Sequence, residues 1–222
     1  MIQSKEELVK YIDHTLLKPE ATVDQVVQLC REAAEHGFQA VCINPSFVEL
    51  AVKELSGTEV VVATVIGFPL GATTSDTKLH EAVQAVEAGA GELDMVINIG
   101  RLKAGDHDYV AGEIRRIVKA VWNTPVKIII ETALLTQEEK ITACQLAKEA
   151  GAAFVKTSTG FAKGGATVED VRLMREVVGS QMGVKASGGI RDLETLEKMV
   201  EAGANRIGTS SGMKILAEFL SR

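Results

Sequence analysis

Glu87-Ala-Gly-Ala-Gly-Glu-Leu-Asp-Met-Val96 decides how this chain reads: a small-residue turn closes a helix and feeds an apolar stretch. Three further segments repeat the pattern, Glu35-His-Gly-Phe-Gln-Ala-Val41, Glu149-Ala-Gly-Ala-Ala-Phe-Val155 and Glu201-Ala-Gly-Ala-Asn-Arg-Ile207. Their glycines stand at 37, 89, 151 and 203, separated by 52, 62 and 52 residues. Each follows a helical pattern such as Val23–Glu35 or Lys140–Glu149. Glycine accepts the left-handed backbone that ends a helix, so these are helix stops leading into strands.

Working outward, further β-rich runs lie between the stops, at Val60–Ile66, Val126–Ile130 and Gly183–Ala186. Each 52-residue interval then holds two strand–helix units, close to the minimum for such a repeat. Strands are predicted at Ile12–Leu16, Ala40–Ile43, Val60–Ile66, Glu92–Ile97, Val126–Ile130, Phe154–Lys156, Gly183–Ala186 and Asn205–Gly208, with Glu6–Tyr11 as a short leading helix. Runs such as VVVATVI and VKIII are apolar on both alternating sets, as in parallel strands covered on both faces. Eight alternating units predict a (β/α)8 barrel with a short extra N-terminal helix, one domain over residues 1–222. An open doubly wound sheet is the rival. It needs fewer strands and normally shows a GxGxxG turn after the first, which this sequence lacks.

The composition narrows the function classes. The 222 residues carry a formal charge of −6 and a pI near 5.4, which argues against non-specific binding to nucleic acid or an anionic membrane. No run of about 18 apolar residues could cross a bilayer. The opening MIQSKEELVKYIDH has acidic residues and no apolar signal core, so a secretory leader is not expected. Cys30, Cys42 and Cys144 are odd in number and far apart, which predicts neither a disulfide framework nor a zinc site and suits a reducing cytoplasm. His14, His36, His80 and His107 show no metal spacing; His80 and His107 read as surface residues, and His14 as a structural hydrogen-bonding group.

In a barrel of this kind the active site sits at the C-terminal ends of the strands. Asp94, Lys156 and Lys185 fall in or at the end of predicted strands, where a charge is costly unless it is paired. A buried salt bridge is the bland reading, but one carboxylate cannot neutralise two lysines. Two cations in a water-poor mouth push the pKa of at least one downward, and a neutral amine attacks carbonyls. Lys127 opens its strand and is expected to face solvent at the barrel bottom. Glu131 ends the fifth strand and is expected either to pair with a lysine across the site or to face solvent. Cys42, at the end of the second strand, reads as packing or as a thiol at the mouth. The turns Thr157-Ser-Thr-Gly160, Ser187-Gly188-Gly189 and Gly208-Thr-Ser210-Ser211-Gly offer backbone N–H groups suited to a phosphate.

Tyr11-Ile-Asp-His-Thr-Leu-Leu-Lys-Pro, Val65-Ile-Gly-Phe-Pro-Leu-Gly, Glu92-Leu-Asp-Met-Val-Ile-Asn, Phe154-Val-Lys-Thr-Ser-Thr-Gly-Phe and Val184-Lys-Ala-Ser-Gly-Gly-Ile-Arg resemble the deoxyribose-phosphate aldolases, in order and along essentially the whole chain. The resemblance implies a class I aldolase that reversibly cleaves 2-deoxy-D-ribose 5-phosphate to D-glyceraldehyde 3-phosphate and acetaldehyde, in deoxyribonucleoside catabolism. It implies no metal and no organic cofactor, small phosphosugar and aldehyde partners, and a homodimer or homotetramer. Position by position, Lys156 matches the Schiff-base lysine, Lys185 the second lysine that lowers its pKa and moves protons, and Asp94 the carboxylate of the proton relay. Gly160, Gly188, Gly189, Ser210 and Ser211 match the phosphate-contacting turns, and Asp13 and Thr15 resemble polar residues at the first strand's mouth; these two, with Cys42 from its strand-end position, are candidates for a supporting role. Some members carry a lysine straight after the glycine of the KTSTG turn; Phe161 stands there here, and Lys163 or Arg191 is the expected substitute cation. Two other readings stay open. One is a different Schiff-base phosphosugar lyase or transferase on the same barrel; the other is a non-catalytic phosphate-binding barrel.

Overall fold

The computed structural model describes residues 2–222. Eight strands, β1 (Ile12–Leu16), β2 (Ala40–Ile43), β3 (Val61–Ile66), β4 (Glu92–Val96), β5 (Val126–Ile129), β6 (Phe154–Lys156), β7 (Gly183–Ser187) and β8 (Arg206–Thr209), run parallel and close in chain order into a barrel. Helix α1 (Lys5–Tyr11) leads in; α2 (Val23–His36), α3 (Val48–Glu54) and α4 (Ser75–Glu87) follow the first three strands. The fourth connection holds α5 (Ile99–Lys103) and α6 (His107–Ala120). Then come α7 (Gln137–Glu149), α8 (Val168–Val178), α9 (Leu193–Glu201) and α10 (Gly212–Leu220). The (β/α)8 expectation holds, with strand ends moved by one residue: Val60, Ile97, Ile130 and Asn205 fall outside, Ser187 and Thr209 inside. None of the helices is long and apolar enough to cross a membrane among the described residues.

The four repeat glycines all take positive φ, from 75° at Gly37 to 112° at Gly203. Gly37 is the C-cap of α2, its N–H donating to the Ala33 carbonyl. At the other ends, Ser4, Thr22, Thr74, Asn98, Asp106, Thr136, Thr167 and Asp192 each cap a helix by accepting a backbone N–H on the side chain. Helix α10 lacks this cap: Ser211 makes no side-chain bond to its first turn. That N-terminus follows β8 directly and so opens at the mouth.

Alternation along each strand separates two interiors. Ile12, Val41, Val62, Leu93, Ile128, Val155, Val184 and Ile207 face outward into one continuous apolar layer beneath the helices. A second, smaller cluster of Ala40, Cys42, Ala63, Val65 and Leu17 lies on the β2–β3 side of the barrel's inside. Beside it, that inside holds buried charged side chains. Lys127 is among them, which corrects the solvent-facing expectation: with Val126 and Ile128 outward, residue 127 must point in, and it is fully buried. Lys127 stands in register with Asp94 on β4 and Phe154 on β6. The Phe154 ring lies 5.9 Å from the Lys127 ammonium and 5.6 Å from the Arg206 guanidinium. Gly183, its neighbour in register, has no side chain because a Cβ there would overlap that ring.

Candidate active site

Four cations and three carboxylates fill the inside of the barrel: Lys127, Lys156, Lys185 and Arg206 with Asp13, Glu92 and Asp94, all buried. Their contacts form a closed ring with one branch. Asp94 Oδ2 accepts from Lys185 Nζ at 2.7 Å, and Lys185 also donates to Asp13 Oδ2. Asp13 Oδ1 accepts from Arg206 at 2.7 Å, and Arg206 grips both oxygens of Glu92 at 3.0 Å. Glu92 Oε2 accepts from Lys127 at 2.5 Å, and Lys127 returns to Asp94 Oδ1 at 3.0 Å. Three cations alternate with three anions, so the ring balances itself. Lys156 is the branch: its only carboxylate contact among the described residues is Asp94 Oδ2, at 2.7 Å, the atom that Lys185 also holds.

In the resting ring Asp94, Asp13, Lys185 and Arg206 are held in their charged forms. Burial opposes ionisation of Asp94, but Lys127, Lys156 and Lys185 outweigh it and hold the carboxyl well below the usual range. Asp13 is lowered likewise, burial being overcome by Lys185, Arg206 and Lys127. Burial lowers the pKa of Lys185, yet Asp13 and Asp94 outweigh it, raise the pKa and keep the group an ammonium. Arg206 is raised by Asp13 and Glu92 against its own desolvation. The Cys42 thiol lies 4.0 Å from Asp94 Oδ2, and burial pushes its pKa up. It is therefore a neutral packing group beside the carboxylate rather than a thiolate.

Above Lys156 a cavity of about 400 Å³ opens at the C-terminal mouth. Among the seven charged interior groups only Lys156 lines it. Thr15, Gly160, Gly188, Gly189 and Ser210 line it too, with Thr159, Phe161 and the cations Lys18 and Arg191. Arg191 is thus present as expected; Lys163 is not in the lining, and Lys18 is. Gly160, Gly188 and Gly189 take φ of 84°, 86° and 83°, and their N–H groups, with that of Ser210, donate to nothing among the described residues. Ser211 stands one step away as the α10 N-cap, its N–H directed to Thr209 Oγ1 at 2.9 Å. The turns after β6 and β7 touch: Ala166 N–H donates to the Ser187 and Gly188 carbonyls at 3.1 and 3.0 Å, and a Cβ on Gly165 would collide with the Gly188 carbonyl. Free N–H groups, an uncapped helix N-terminus and two cations give this rim the chemistry that suits an anion. A larger groove, about 590 Å³ on the outer surface, is lined by Glu49, Glu81 and Glu87 and by no cation.

Glu131 corrects both of its expectations. It is buried and pairs with no lysine; one oxygen accepts the Thr159 N–H at 3.1 Å and the Thr159 hydroxyl as well. It alone among the described non-glycine residues has a positive φ, 56°, a strain of about 1–3 kcal/mol. Thr159 Oγ1 in turn accepts the Phe161 N–H at 3.1 Å, and the Phe161 ring meets Phe68 edge to face at 5.2 Å. His14 faces outward and shares a 2.7 Å hydrogen bond with Glu32 on α2, the structural role expected of it. His80 and His107 are exposed, again as expected. Sequence reading missed Glu92 and Arg206. The signal was the period of two: Glu92 precedes Asp94 on the same face, and Arg206 alternates with the outward Ile207. Among the described residues no three His, Cys, Asp or Glu gather as metal ligands.

Residues 8–218 match the model of the DeoC/LacD family aldolases. A deoxyribose-phosphate aldolase of Thermoanaerobacter sp. (strain X514) is 61% identical over 215 residues, covering 96% of each chain. One from Thermococcus gammatolerans is 62% identical over 214 residues, covering 95% of each. The solved tetrameric deoxyribose phosphate aldolase of Aeropyrum pernix superposes with a TM-score of 0.89 at 39% identity, covering 98% of this chain and 93% of its own.

Proposed function

We propose, from the premise that this chain belongs to the DeoC/LacD family of aldolases, that Lys156 is its Schiff-base nucleophile and 2-deoxy-D-ribose 5-phosphate its substrate. As a member of that family the protein is an aldolase, a lyase acting on a carbon–carbon bond. One observation carries the assignment of Lys156: among the described residues it is the single interior amine that reaches the mouth cavity, and it hangs on a carboxylate oxygen already held by Lys185.

The amine of Lys156 attacks the open-chain aldehyde carbon to give a carbinolamine, which loses water to an iminium. A base takes the proton of the C3 hydroxyl, the C2–C3 bond breaks, and its electron pair moves into the enamine on Lys156. D-Glyceraldehyde 3-phosphate leaves; protonation of the enamine carbon and hydrolysis release acetaldehyde. Asp94 and Lys185 are the proton-handling pair, working with water because Asp94 lies below the cavity wall. The free N–H groups of Gly160, Gly188, Gly189 and Ser210, with Arg191 and Lys18, hold the phosphate, and that remote grip orients the reacting carbons. Ser211 adds its hydroxyl at the α10 N-terminus, and Thr15 and Asp13 support the first strand's edge of the site.

The 222 residues act as one domain, and the assembly is a homodimer or homotetramer, a reading supported by the tetrameric Aeropyrum pernix relative. Three buried, unpaired cysteines suit a cytoplasmic protein. The decisive experiment is borohydride reduction with acetaldehyde alongside turnover of deoxyribose 5-phosphate. An ethyl group on Lys156 is the expected outcome; label on Lys185, or on no lysine, overturns the assignment. For the phosphate, Ser211→Asp puts a like charge in the cradle. It should lower kcat/KM for the phosphorylated sugar relative to unphosphorylated deoxyribose by about 10-fold or more. An unchanged ratio places the phosphate elsewhere.

A further inference from the structure

We propose that Arg206 and Glu92, on the far side of the charged ring from Lys156, are positioning residues that set the pH at which Lys156 forms its imine. The proposal rests on Lys156 being the nucleophile. Neither residue touches the mouth cavity. Both act through the chain of contacts that runs from Glu92 through Lys127 to Asp94, and from Arg206 through Asp13 and Lys185 to the same carboxylate.

Charge counting carries the argument. At the mouth, Lys18 and Arg191 line the same cavity as Lys156; the other charged or titratable groups buried inside the barrel are Asp13 on β1, Cys42 on β2, Glu92 and Asp94 on β4, Lys127 on β5, Lys185 on β7 and Arg206 on β8. The thiol is neutral, and the formal charges of the six other buried groups sum to zero. Arg206 does not deprotonate, and Lys185 is held as an ammonium by two carboxylates. The positive charge of Lys156 is then the one that nothing in the interior balances, and losing its proton leaves the interior neutral. Arg206 is what makes this so. Without it, Asp13 and Glu92 would leave the ring one negative charge in excess, and that excess would stabilise ammonium at Lys156. Without the charge of Glu92, the ring would be one positive charge in excess and would favour the free amine. Phe154 and the side-chain-free Gly183 belong to the same device, since the ring face beneath Lys127 and Arg206 replaces water with an aromatic surface that cations tolerate.

The two residues therefore predict shifts of opposite sign, which a structural role does not. The measurement is the pH dependence of borohydride trapping with acetaldehyde, on variants first shown by thermal melting to be folded. Glu92→Gln, which keeps the shape and an acceptor oxygen, should move the half-maximal pH of trapping down by about one unit. Arg206→Gln should move it up by a similar amount, and Arg206→Lys, which restores the charge, should bring it back. If Arg206→Gln does not fold, Glu92→Gln decides alone. A folded Glu92→Gln whose profile stays in place or moves upward overturns the proposal, as do two variants that lose activity with no change in midpoint. Failure of the underlying assignment looks different: the unaltered protein then carries no label on Lys156 at any pH.

Discussion

The barrel wall has two faces, buried to the same degree and built on opposite rules. Outward, Leu93, Ile128, Val155, Val184 and Ile207 are fully buried against the helices. Inward, Asp94, Lys127 and Lys185 are fully buried one residue away on the same or adjacent strands. The outward side chains need only volume and an apolar neighbour, and each contributes about 1.5–3 kcal/mol by leaving water. The inward ones lose hydration that only a correctly placed partner returns. Burial is thus a poor label for a core. What separates the faces is whether a residue could be exchanged for another of its size.

Replacing Lys156 tests the comparison most severely. Lys156→Leu removes the branch and leaves the ring whole, so imine trapping should vanish and turnover fall on the order of 10⁴-fold or more. The melting temperature should hold, because no carboxylate loses its only cation. Residual trapping in this variant would mean that another amine does the chemistry. Lys185→Leu instead opens the ring between Asp13 and Asp94. Removing one partner of a buried pair costs about 3–5 kcal/mol. Activity at neutral pH should also drop by about 10²–10⁴-fold, with partial recovery in alkali. A variant with the unaltered pH profile would break the electrostatic account of the inner face. Leu93→Ala probes the outer face and should cost about 2–5 kcal/mol in denaturant unfolding with kcat per folded molecule unchanged. A large fall in kcat would show that the faces are coupled.

The smallest effect is the acid limb of stability. Asp13 and Asp94 have folded pKa values below their usual ones. Their contribution is therefore present above about pH 4, where the unfolded carboxyls are ionised, and is lost as pH falls through the depressed folded values. Lys185 and Arg206 are raised, so their contribution is present below the unfolded lysine value of about 10.4 and the still higher arginine value. Each is lost only as pH rises through its folded value. Urea unfolding of the unaltered protein should weaken below about pH 4, and Asp94→Asn should weaken less steeply there. Equal slopes would mean that the ring does not titrate with unfolding.

The barrel itself was legible because the chain repeats its helix stops. Gly37, Gly89, Gly151 and Gly203 mark four of the helix-to-strand passages, and the strands between them were placed to within one residue. The charged cluster of the candidate site was legible where a charge stood alone in an apolar run, as Asp94, Lys156 and Lys185 do. It was misread where the charge stood near a strand's start. Lys127, Glu92 and Arg206 lie at the lower ends of their strands, where a polar residue ordinarily meets solvent, and only the inward register separates the two cases. Glu131 escaped for another reason: its partner is a backbone N–H in a turn 28 residues on, which no local pattern announces.

The contact between the turns after β6 and β7 bears on how this molecule can be remodelled. Loops at a barrel mouth are commonly treated as independent modules, exchanged one at a time on a fixed frame. Here the segment around Gly165 and Ala166 shares hydrogen bonds with Ser187 and Gly188, and its backbone approaches too closely to admit a side chain. A library that varies one segment alone will mostly sample clashes or severed bonds. The two have to be diversified together, as a single unit of inheritance, if the lining of the mouth cavity is to change without severing those bonds.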